Sequence, residues 1–196
     1  GGATWSMVST GYSINDFHFV DANTGWVVSS NGILLKTTDG GQNWATVPSG
    51  TSNYLSLVYF KDINNGWVGG DIVMKRTTDG GSTWFFQNIP GSGTAKLSMS
   101  FSNANEGWVT IPYDNGVFKT TDGGNTWVWQ PIGLYDKFAQ ISFADTQSGW
   151  GLSYNGVIMK YTKVTTPCVS NSVILNMLSP APPSITSNNQ QNVLCS

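Results

Sequence analysis

An eight-residue phrase that returns at a near-constant interval constrains the fold of this chain more than any other feature. It reads TTDGGQNW at 37–44, TTDGGSTW at 77–84 and TTDGGNTW at 120–127, and the chain opens on the shorter GGATW. Successive aspartates of the phrase lie 40 and 43 residues apart. A repeat of this period with strand-like sequence inside it predicts a β-propeller or a related array of small sheets.

A second phrase keeps the same interval and joins an aromatic residue, a polar turn and a Gly-Trp pair. It runs from Phe19 to Trp26, and its tryptophans return after 41, 41 and 42 residues. Eight of the nine tryptophans lie on the two phrases, and Trp129 is the exception. A residue that recurs once per repeat is expected to pack rather than to contact a ligand. The later copies of the second phrase lie at 60–67, 101–108 and 143–150.

Each repeat divides into four strand-like runs. In the second repeat these runs are 54–60, 67–70, 72–78 and 83–89, which are rich in β-branched and aromatic residues and are separated by Asp, Asn and Gly. No stretch has convincing helical periodicity. The sequence therefore predicts an all-β propeller of four-stranded blades, with about four blades' worth of strands that form part of a larger ring.

The turn chemistry of the first phrase explains why it repeats. The Asp side chain can accept hydrogen bonds from backbone N–H groups a few residues on, and the glycines supply positive φ. The Trp then packs between neighbouring hairpins. These residues are predicted to be structural: Asp39, Gly40, Gly41, Trp44, Asp79, Gly80, Gly81, Trp84, Asp122, Gly123, Gly124 and Trp127.

The composition limits the partners and the location. The 196 residues carry nine Lys and Arg against eleven Asp and Glu, and Arg76 is the single arginine. This balance excludes the basic surface of a nucleic-acid-binding protein. No run approaches the roughly 20 apolar residues of a membrane helix, so no membrane insertion is expected. The richness in Gly, Ser, Thr, Asn and Trp favours an extracellular or cell-surface location.

The first phrase resembles the Asp-box, or BNR repeat, whose pattern is Ser/Thr-x-Asp-x-Gly-x-Thr-Trp. Its pairing with the Gly-Trp phrase resembles the propeller of the photosystem II assembly and stability factors, the Ycf48-like family, over residues 1–163. The resemblance implies a seven-bladed ring and, for that family, a basic functional face with clustered arginines, which one arginine does not supply. Similar repeats occur in secreted bacterial proteins, sialidases, xyloglucan-cleaving hydrolases and sortilin-type receptors, so the motif specifies fold far more than function.

The repeats predict propeller blades over 1–163 and a Pro/Ser/Asn-rich linker over 164–196, which ends in a possible start of an Ig-like module. The fourth repeat lacks the Asp-box turn, as terminal repeats often do. Residues Thr4 to Val8 are predicted as an orphan fourth strand, which could complete that last blade and give four blades in all. The favoured alternative is that earlier blades are absent from this sequence. Because the chain begins inside a repeat, it is expected to be a piece of a longer polypeptide or a processed product.

Acidic residues and the single histidine offer little chemistry. The turn acids Asp21, Asp62 and Asp145 invite a calcium interpretation, but they lack the further acidic ligands of a calcium loop, and Asn103 stands at the equivalent place. Turn capping is therefore expected, and no metal or cofactor is predicted. His18, between two phenylalanines, is expected to be packed or at the surface rather than a catalytic base.

A sialidase would need several arginines and a Tyr–Glu pair, which this sequence does not contain. A glycosidase would need two carboxylic acids that flank the bond to be cleaved. Such a pair is conceivable because the predicted ligand-side loops carry Asp16, Asp71, Asp114 and Asp136.

The same loops carry tyrosines, whose rings suit the binding of sugars or protein partners. An equally weighted alternative is that they cover the loop backbone. The predicted ligand-face residues are Tyr12, Tyr54, Asp71, Tyr113, Asp114, Tyr135, Asp136 and Tyr154.

Cys168 and Cys195 both lie in the tail. In a secreted chain they suggest a disulfide. Alternatively, Cys195 pairs with a cysteine outside this sequence, as in an Ig-like module.

The sequence favours a non-catalytic binding or structural propeller module of a secreted or cell-surface, bacterial multidomain protein. Its inter-blade loops would face a glycan or a protein partner, and self-association into a surface assembly is a further possibility. Two alternatives stay open: an assembly factor of the photosystem II type, and a fragment of a propeller glycoside hydrolase.

Overall fold

The computed structural model describes residues 4–71, 73–89, 97–111, 116–132, 137–163 and the strand at 173–178. Every regular element within these residues is a β-strand, and the strands form four antiparallel sheets of four strands each. The predicted fold class, an all-β propeller of four-stranded blades, is confirmed. The chain divides into two compact units, Gly1–Met99 and Ser100–Ser196, and each is described by itself below.

The first unit holds two sheets whose strands pair in chain order, each with the next. The fourth strand of sheet 2 is much shorter than predicted, and the other three agree with the predicted runs to within a residue. Sheet 1 consists of β1 (Ile14–Phe19), β2 (Gly25–Ser29), β3 (Leu34–Thr37) and β4 (Ala45–Val47), and sheet 2 of β5 (Leu55–Phe60), β6 (Gly66–Gly70), β7 (Val73–Thr77) and β8 (Phe85–Phe86).

The second unit holds the other two sheets, with the same strand order. The first strand of sheet 3 begins two residues before the boundary between the units. Sheet 3 consists of β9 (Ser98–Phe101), β10 (Gly107–Thr110), β11 (Gly116–Thr120) and β12 (Val128–Pro131), and sheet 4 of β13 (Phe138–Phe143), β14 (Ser148–Ser153), β15 (Ile158–Lys163) and β16 (Val173–Leu178).

The fourth strand of sheet 4 comes from the segment that the sequence pattern assigned to a linker. β16 pairs antiparallel with β15 along its whole length. Residues Thr4 to Val8, predicted as an orphan fourth strand that could complete this blade, form no strand. That prediction is wrong, because β16 already occupies the hydrogen-bonding edge of β15. The predicted boundary at residue 163 therefore lies inside sheet 4.

In every sheet the phenylalanine that ends the first strand lies on a glycine at the start of the second, which is the first residue of β2, β6 and β10 and the second residue of β14. A Cβ at Gly66 would come within 2.5 Å of the Phe60 ring, so this position requires glycine for steric reasons. The Asp-box residue Trp84 meets the edge of the same ring, with centroids 6.1 Å apart and planes at 86°. The other Phe–Gly contacts are Phe19 with Gly25, Phe101 with Gly107, and Phe143 with Gly149.

Within each unit a tryptophan of one sheet stacks on the phenylalanine of the next. Trp26 of β2 lies 3.6 Å from Phe60 of β5, centroid to centroid, with the planes 5° apart. Trp108 of β10 stacks on Phe143 of β13 at 3.6 Å and 1°. Both indoles are buried. Each indole is also approached by the cation of its cross-strand neighbour: Lys36 Nζ lies 5.0 Å from the ring centroid of Trp26, and Lys119 Nζ 5.2 Å from that of Trp108.

Polar side chains of the first strands bind the backbone of the next first strand. The N–H of Val58 donates to the Asp16 carboxylate at 2.9 Å, and the N–H of Phe60 donates to His18 Nδ1 at 3.3 Å. In the second unit the Ser100 hydroxyl accepts the N–H at the end of β13 at 2.9 Å. Because a first strand has a ladder on one side only, these side chains satisfy backbone groups that the sheet itself leaves open.

The Asp box closes its turn through its own side chains. The Thr77 hydroxyl donates to Asp79 Oδ1 at 2.7 Å and accepts the N–H of Gly81 at 3.0 Å. The N–H of Thr83 donates to the same Asp79 oxygen at 2.8 Å. Gly80 and Gly81 have φ of 71° and 91°, which favours glycine. The boxes of Asp39 and Asp122 repeat these bonds.

Sheet 4 lacks the box and fills the space differently. Tyr161 stands where Thr37, Thr77 and Thr120 stand in the other sheets. Its buried ring lies 5.2 Å from that of Phe143. Tyr161 therefore packs beside the first-strand phenylalanine, as the box tryptophan does elsewhere.

We expect Phe60→Ala to lower the free energy of unfolding by about 3–5 kcal/mol, because it removes a buried ring that packs with Trp26, Gly66 and Trp84. Phe85→Ala is the matched control. Its ring is exposed, so the loss should stay within about 0.5 kcal/mol. Urea denaturation followed by circular dichroism measures both. Equal losses in the two variants would contradict the role assigned to the stack.

We expect the stability that Asp79 contributes to disappear between about pH 4 and about pH 2. Hydrogen bonds from the side chain and the N–H of Thr83, and from Thr77, lower the pKa of Asp79 from 3.8 to about 2. A carboxyl whose pKa is lower in the folded than in the unfolded state stabilises the fold above its unfolded pKa. It loses this effect as pH falls through the folded value.

The measurement compares urea midpoints of the parent chain and Asp79→Asn at about pH 7, 4 and 2.5. The gap between the two proteins should be largest near neutral pH and should narrow at the lowest pH. A gap that stays constant down to about pH 2.5 would show that the Asp79 charge is not what stabilises the turn.

Candidate functional site

The two ends of each sheet carry different turns. One end holds the turns between first and second strands and, in sheets 1 to 3, the Asp boxes, which are tied to these turns by backbone bonds such as Gly80 N–H to Asn64 O at 2.9 Å. The other end holds the turns between second and third strands and the segments that lead into the first strands. We call this second end the loop end, and the described members of the predicted ligand face all lie there.

In sheet 2 the loop end brings two predicted residues together. The N–H of Asp71 donates to the carbonyl oxygen of Tyr54 at 3.1 Å. The Tyr54 ring is exposed, and Asp71 is half-buried. A Cβ at Gly70 would approach the same carbonyl oxygen to 1.9 Å, so the turn and the segment can meet only because residue 70 is glycine.

Two polar side chains fix the segment that connects β4 to β5 and leads to Tyr54. The Ser49 hydroxyl donates to Gly32 O at 2.6 Å, and Lys75 Nζ donates to Gly50 O at 2.6 Å. Lys75 is buried on β7, with its Nζ 4.6 Å from the centroid of Phe86. The exposed Tyr54 ring thus projects from a backbone that is bound on several sides.

Lys75 is a residue that the sequence pattern did not single out. The same register position is apolar in the other three sheets, where Leu35, Phe118 and Met159 stand. The signal that could have identified it is a charged residue at an apolar position of the aligned repeats.

Tyr12 and Tyr154 occupy the loop ends of their own sheets. Tyr12 lies two residues before β1, next to Ser13, whose carbonyl accepts the Ser29 hydroxyl at 2.6 Å. Tyr154 lies in the turn after β14, where its N–H donates to Lys137 O at 3.1 Å. Both rings are exposed.

The other predicted ligand-face residues, Tyr113, Asp114, Tyr135 and Asp136, lie outside the described residues, as do Cys168 and Cys195.

The turn acids cap their own turns. Asp21, Asp62 and Asp145 each accept the backbone N–H groups two and three residues on, at 2.7 to 2.9 Å. These bonds lower the pKa of Asp21. Asn103 accepts the same two N–H groups without a charge, so the turn does not depend on a cation. Among the described residues no group of three or more His, Cys, Asp and Glu could hold a metal ion.

His18 and Asp16 are engaged in sheet packing. His18 accepts the N–H of Phe60, and its ring lies 4.6 Å from that of Tyr59, centroid to centroid. The side chain is half-buried, and this burial lowers the pKa of His18. Asp16, one of the acids considered for a hydrolase pair, binds the N–H of Val58. In the described loops and turns at the loop end of the first unit, Asp71 is the one carboxylate.

No helix in the described part of the chain has the length and apolarity needed to cross a membrane.

Comparison with known proteins supports the resemblance in sequence. The family model described as photosynthesis system II assembly factor YCF48 matches residues 2–90. No curated protein matches the chain.

Solved structures show that this chain resembles these proteins in fold as well. The structure described as YCF48 bound to D1 peptide is 20% identical, with a TM-score of 0.62 over 86% of this chain and 54% of that one. YCF48 from Cyanidioschyzon merolae is 17% identical, with a TM-score of 0.64 over 90% of this chain and 62% of that one. An ancestral GH74 enzyme is 18% identical, with a TM-score of 0.58 over 84% of this chain and 25% of that one.

At these identities the structural likeness establishes the propeller fold and no more. The chain spans between half and two thirds of the length of the two YCF48 chains. The resemblance inferred from the Asp box and the Gly-Trp phrase is confirmed: this chain is similar to the Ycf48-like BNR-repeat propellers.

Proposed function

We propose that this chain is a non-catalytic binding module that holds a segment of a protein partner at its loop end. The observation that carries the proposal is the exposed Tyr54 ring on a backbone fixed by Asp71, Gly70, Ser49 and Lys75. A tyrosine on a rigid support gives a large contact area at a low cost in conformational entropy. Tyr12 is a second exposed tyrosine at the loop end, on sheet 1.

Binding without turnover agrees with how the described acids are used. The box residues Asp39, Asp79 and Asp122 bind their own turns at the end opposite the loop end. Glycoside hydrolysis requires two carboxyl groups on either side of the bond that is cleaved. The described loops at the loop end of the first unit contribute Asp71 alone, and its half-buried position suits a contact to a partner's N–H groups.

A protein segment is favoured over a glycan by the relatives. A YCF48 propeller of the same fold has been solved with a D1 peptide. An extended peptide offers both apolar side chains for tyrosine rings and backbone N–H groups for a carboxylate. The partner of this chain need not resemble D1, because the arginine-rich face implied for the Ycf48-like family has no counterpart in a chain with a single arginine.

We further propose a location outside the cytoplasm, at the surface of a cell or beyond it. The support is compositional: 10% of residues are charged, and the chain is rich in small polar residues that suit tight turns and hydroxyl-rich surfaces.

The test is binding of the labelled chain to a peptide array that includes the D1 peptide, beside a glycan array. We expect peptide binding, weakened roughly tenfold or more by Tyr54→Ala, since a central aromatic anchor typically contributes more than 1 kcal/mol. Phe85→Ala, which removes an exposed ring on β8, should bind like the parent.

Three outcomes would contradict the proposal. If Tyr54→Ala leaves the peptide affinity unchanged, the binding surface does not lie at the loop end. Binding to the glycan array alone would replace the protein partner with a sugar, and release of reducing sugar would show that the module is an enzyme fragment.

A further inference from the structure

Three side chains of β1 bind the backbone of β5, the first strand of the next sheet in the same unit. The bonds run from the loop end towards the Asp-box end and tie sheet 1 to sheet 2. They are Asn15 Nδ2 to Leu55 O at 2.8 Å, Val58 N–H to the Asp16 carboxylate at 2.9 Å, and Phe60 N–H to His18 Nδ1 at 3.3 Å. Of the three side chains, the histidine is the one whose charge ordinarily changes near neutral pH.

The bond to Phe60 requires a neutral imidazole. Because Nδ1 of His18 accepts a hydrogen bond, it carries a lone pair, and the ring hydrogen lies on Nε2. A protonated ring carries hydrogens on both nitrogens, so Nδ1 would then face the Phe60 N–H donor to donor. Phe60 is 1% exposed, and a buried N–H that loses its acceptor is costly. Protonation of His18 is therefore incompatible with this bond.

His18 lies on the side of sheet 1 that packs on sheet 2. Its cross-strand neighbour is Trp26, whose indole stacks on Phe60, and its ring lies 4.6 Å from that of Tyr59, centroid to centroid. The side chain is half-buried, and this burial lowers the pKa of His18 from 6.5. At neutral pH the ring is therefore neutral, as the bond to Phe60 requires.

The titratable groups on the elements around His18 do not change charge in the same pH range. They are Asp16 of β1, Tyr59 of β5, Lys61 directly after β5, and Lys36 of β3. Carboxylates, phenols and amines ordinarily titrate outside about pH 5–8. The charged ones also have other contacts: Asp16 accepts a backbone N–H, Lys36 donates to a carbonyl of the second Asp box, and Lys61 lies over the ring of Trp67.

The second unit makes the same contact with a residue that does not titrate. Ser100 precedes Phe101 as His18 precedes Phe19, and the Ser100 hydroxyl accepts the N–H of Phe143 at 2.9 Å. A hydroxyl can accept this bond at any pH. The bond between first strands therefore does not need a histidine, and what His18 adds in the first unit is a dependence on pH.

We propose that His18 makes the contact between sheets 1 and 2 sensitive to acid: the neutral ring binds the Phe60 N–H, and the protonated ring gives up this bond. A histidine whose pKa is lower in the folded than in the unfolded state stabilises the fold fully above its unfolded pKa, here 6.5. That stabilisation is lost as pH falls below 6.5 towards the folded value. The contact weakens in mild acid, before the Asp-box carboxylates titrate with pKa values of about 2.

The loop end is coupled to this contact, because β1 and β5 directly follow the segments that carry its two tyrosines. Tyr12 lies two residues before β1, and Tyr54 lies immediately before β5. A weaker contact between the two strands in acid loosens the spacing of the two rings and lowers the affinity for a partner segment. This consequence rests on the function proposed above, whereas the acid-sensitive contact itself does not.

Nuclear magnetic resonance of the isotope-labelled 196-residue chain tests the contact directly, since His18 is the single histidine. We expect the Nε2–H tautomer at neutral pH and a His18 pKa below 6.5. The Phe60 amide should lose roughly tenfold of its protection against hydrogen exchange between about pH 7.5 and about pH 5.5, which corresponds to the loss of about one hydrogen bond. The Phe143 amide, which the Ser100 hydroxyl binds, is the internal control and should keep its protection.

His18→Asn is the matched variant, because its side-chain oxygen can accept the same N–H and does not titrate. We expect the urea midpoint of the parent chain, but not that of His18→Asn, to fall between about pH 7.5 and about pH 5.5. His18→Ser, which copies Ser100, takes its place if His18→Asn does not fold. Parallel pH profiles of parent and variant would overturn the proposal. An Nδ1–H tautomer, or an equal loss of protection at Phe60 and Phe143, would overturn it as well.

Peptide binding at the same two pH values tests the coupling to the loop end. We expect the affinity of the parent chain to be lower in acid and that of His18→Asn to stay constant. A parent affinity that does not change with pH would overturn the coupling. Absence of peptide binding at both pH values would contradict the proposed function and with it the coupling, while the exchange and urea measurements, which need no ligand, still decide the acid-sensitive contact.

Discussion

The first-strand phenylalanine is the residue on which the rest of this structure depends. Ladders of backbone hydrogen bonds hold each sheet together, but a sheet joins its neighbour within a unit through side chains. Phe60 meets a glycine of its own sheet, the box tryptophan at its edge, and the indole of Trp26 stacked at 3.6 Å. Aromatic pairs of this kind contribute about 0.5–1.5 kcal/mol beyond the area they bury, and the arrangement returns in the second unit.

Several other features follow from this packing. The residue of the second strand that lies under the phenylalanine must be glycine, because any side chain there would displace the ring. The Asp box holds two glycines in the left-handed region of φ. In sheet 2, Trp26 and Lys36 of the preceding sheet lie close to the backbone of this box. Side chains such as Asp16 and His18 complete the contact by binding the open edge of the next first strand. Asp16 and His18, the titratable groups considered for catalysis, are therefore used in packing one sheet on the next.

The two ends of the sheets differ in how much their residues vary, and this difference indicates where a binding surface can lie. The box end is filled by short-range hydrogen bonds that recur in every box. The loop end differs from sheet to sheet, with Tyr54 and Asp71 in sheet 2 and Tyr154 in sheet 4. In sheet 2 the backbone of the loop end is held by Ser49, Lys75 and close glycine contacts. Variation on a fixed support is what a binding surface requires, and the same scaffold can serve relatives with different partners.

The repeats alone were enough to predict the fold class, three of the four strands of sheet 2 and the polar turns, because each rests on bonds between residues close together in the chain. Thr77, Asp79 and Thr83 close a box without help from elsewhere. Partners farther away along the chain decided the rest. The Val173–Leu178 strand completes sheet 4 because the edge of β15 lies nearby. In the same way, Tyr161 packs beside the ring of Phe143, and Lys75 anchors the segment before Tyr54 through a nearby carbonyl. Only the tertiary structure supplies those neighbours.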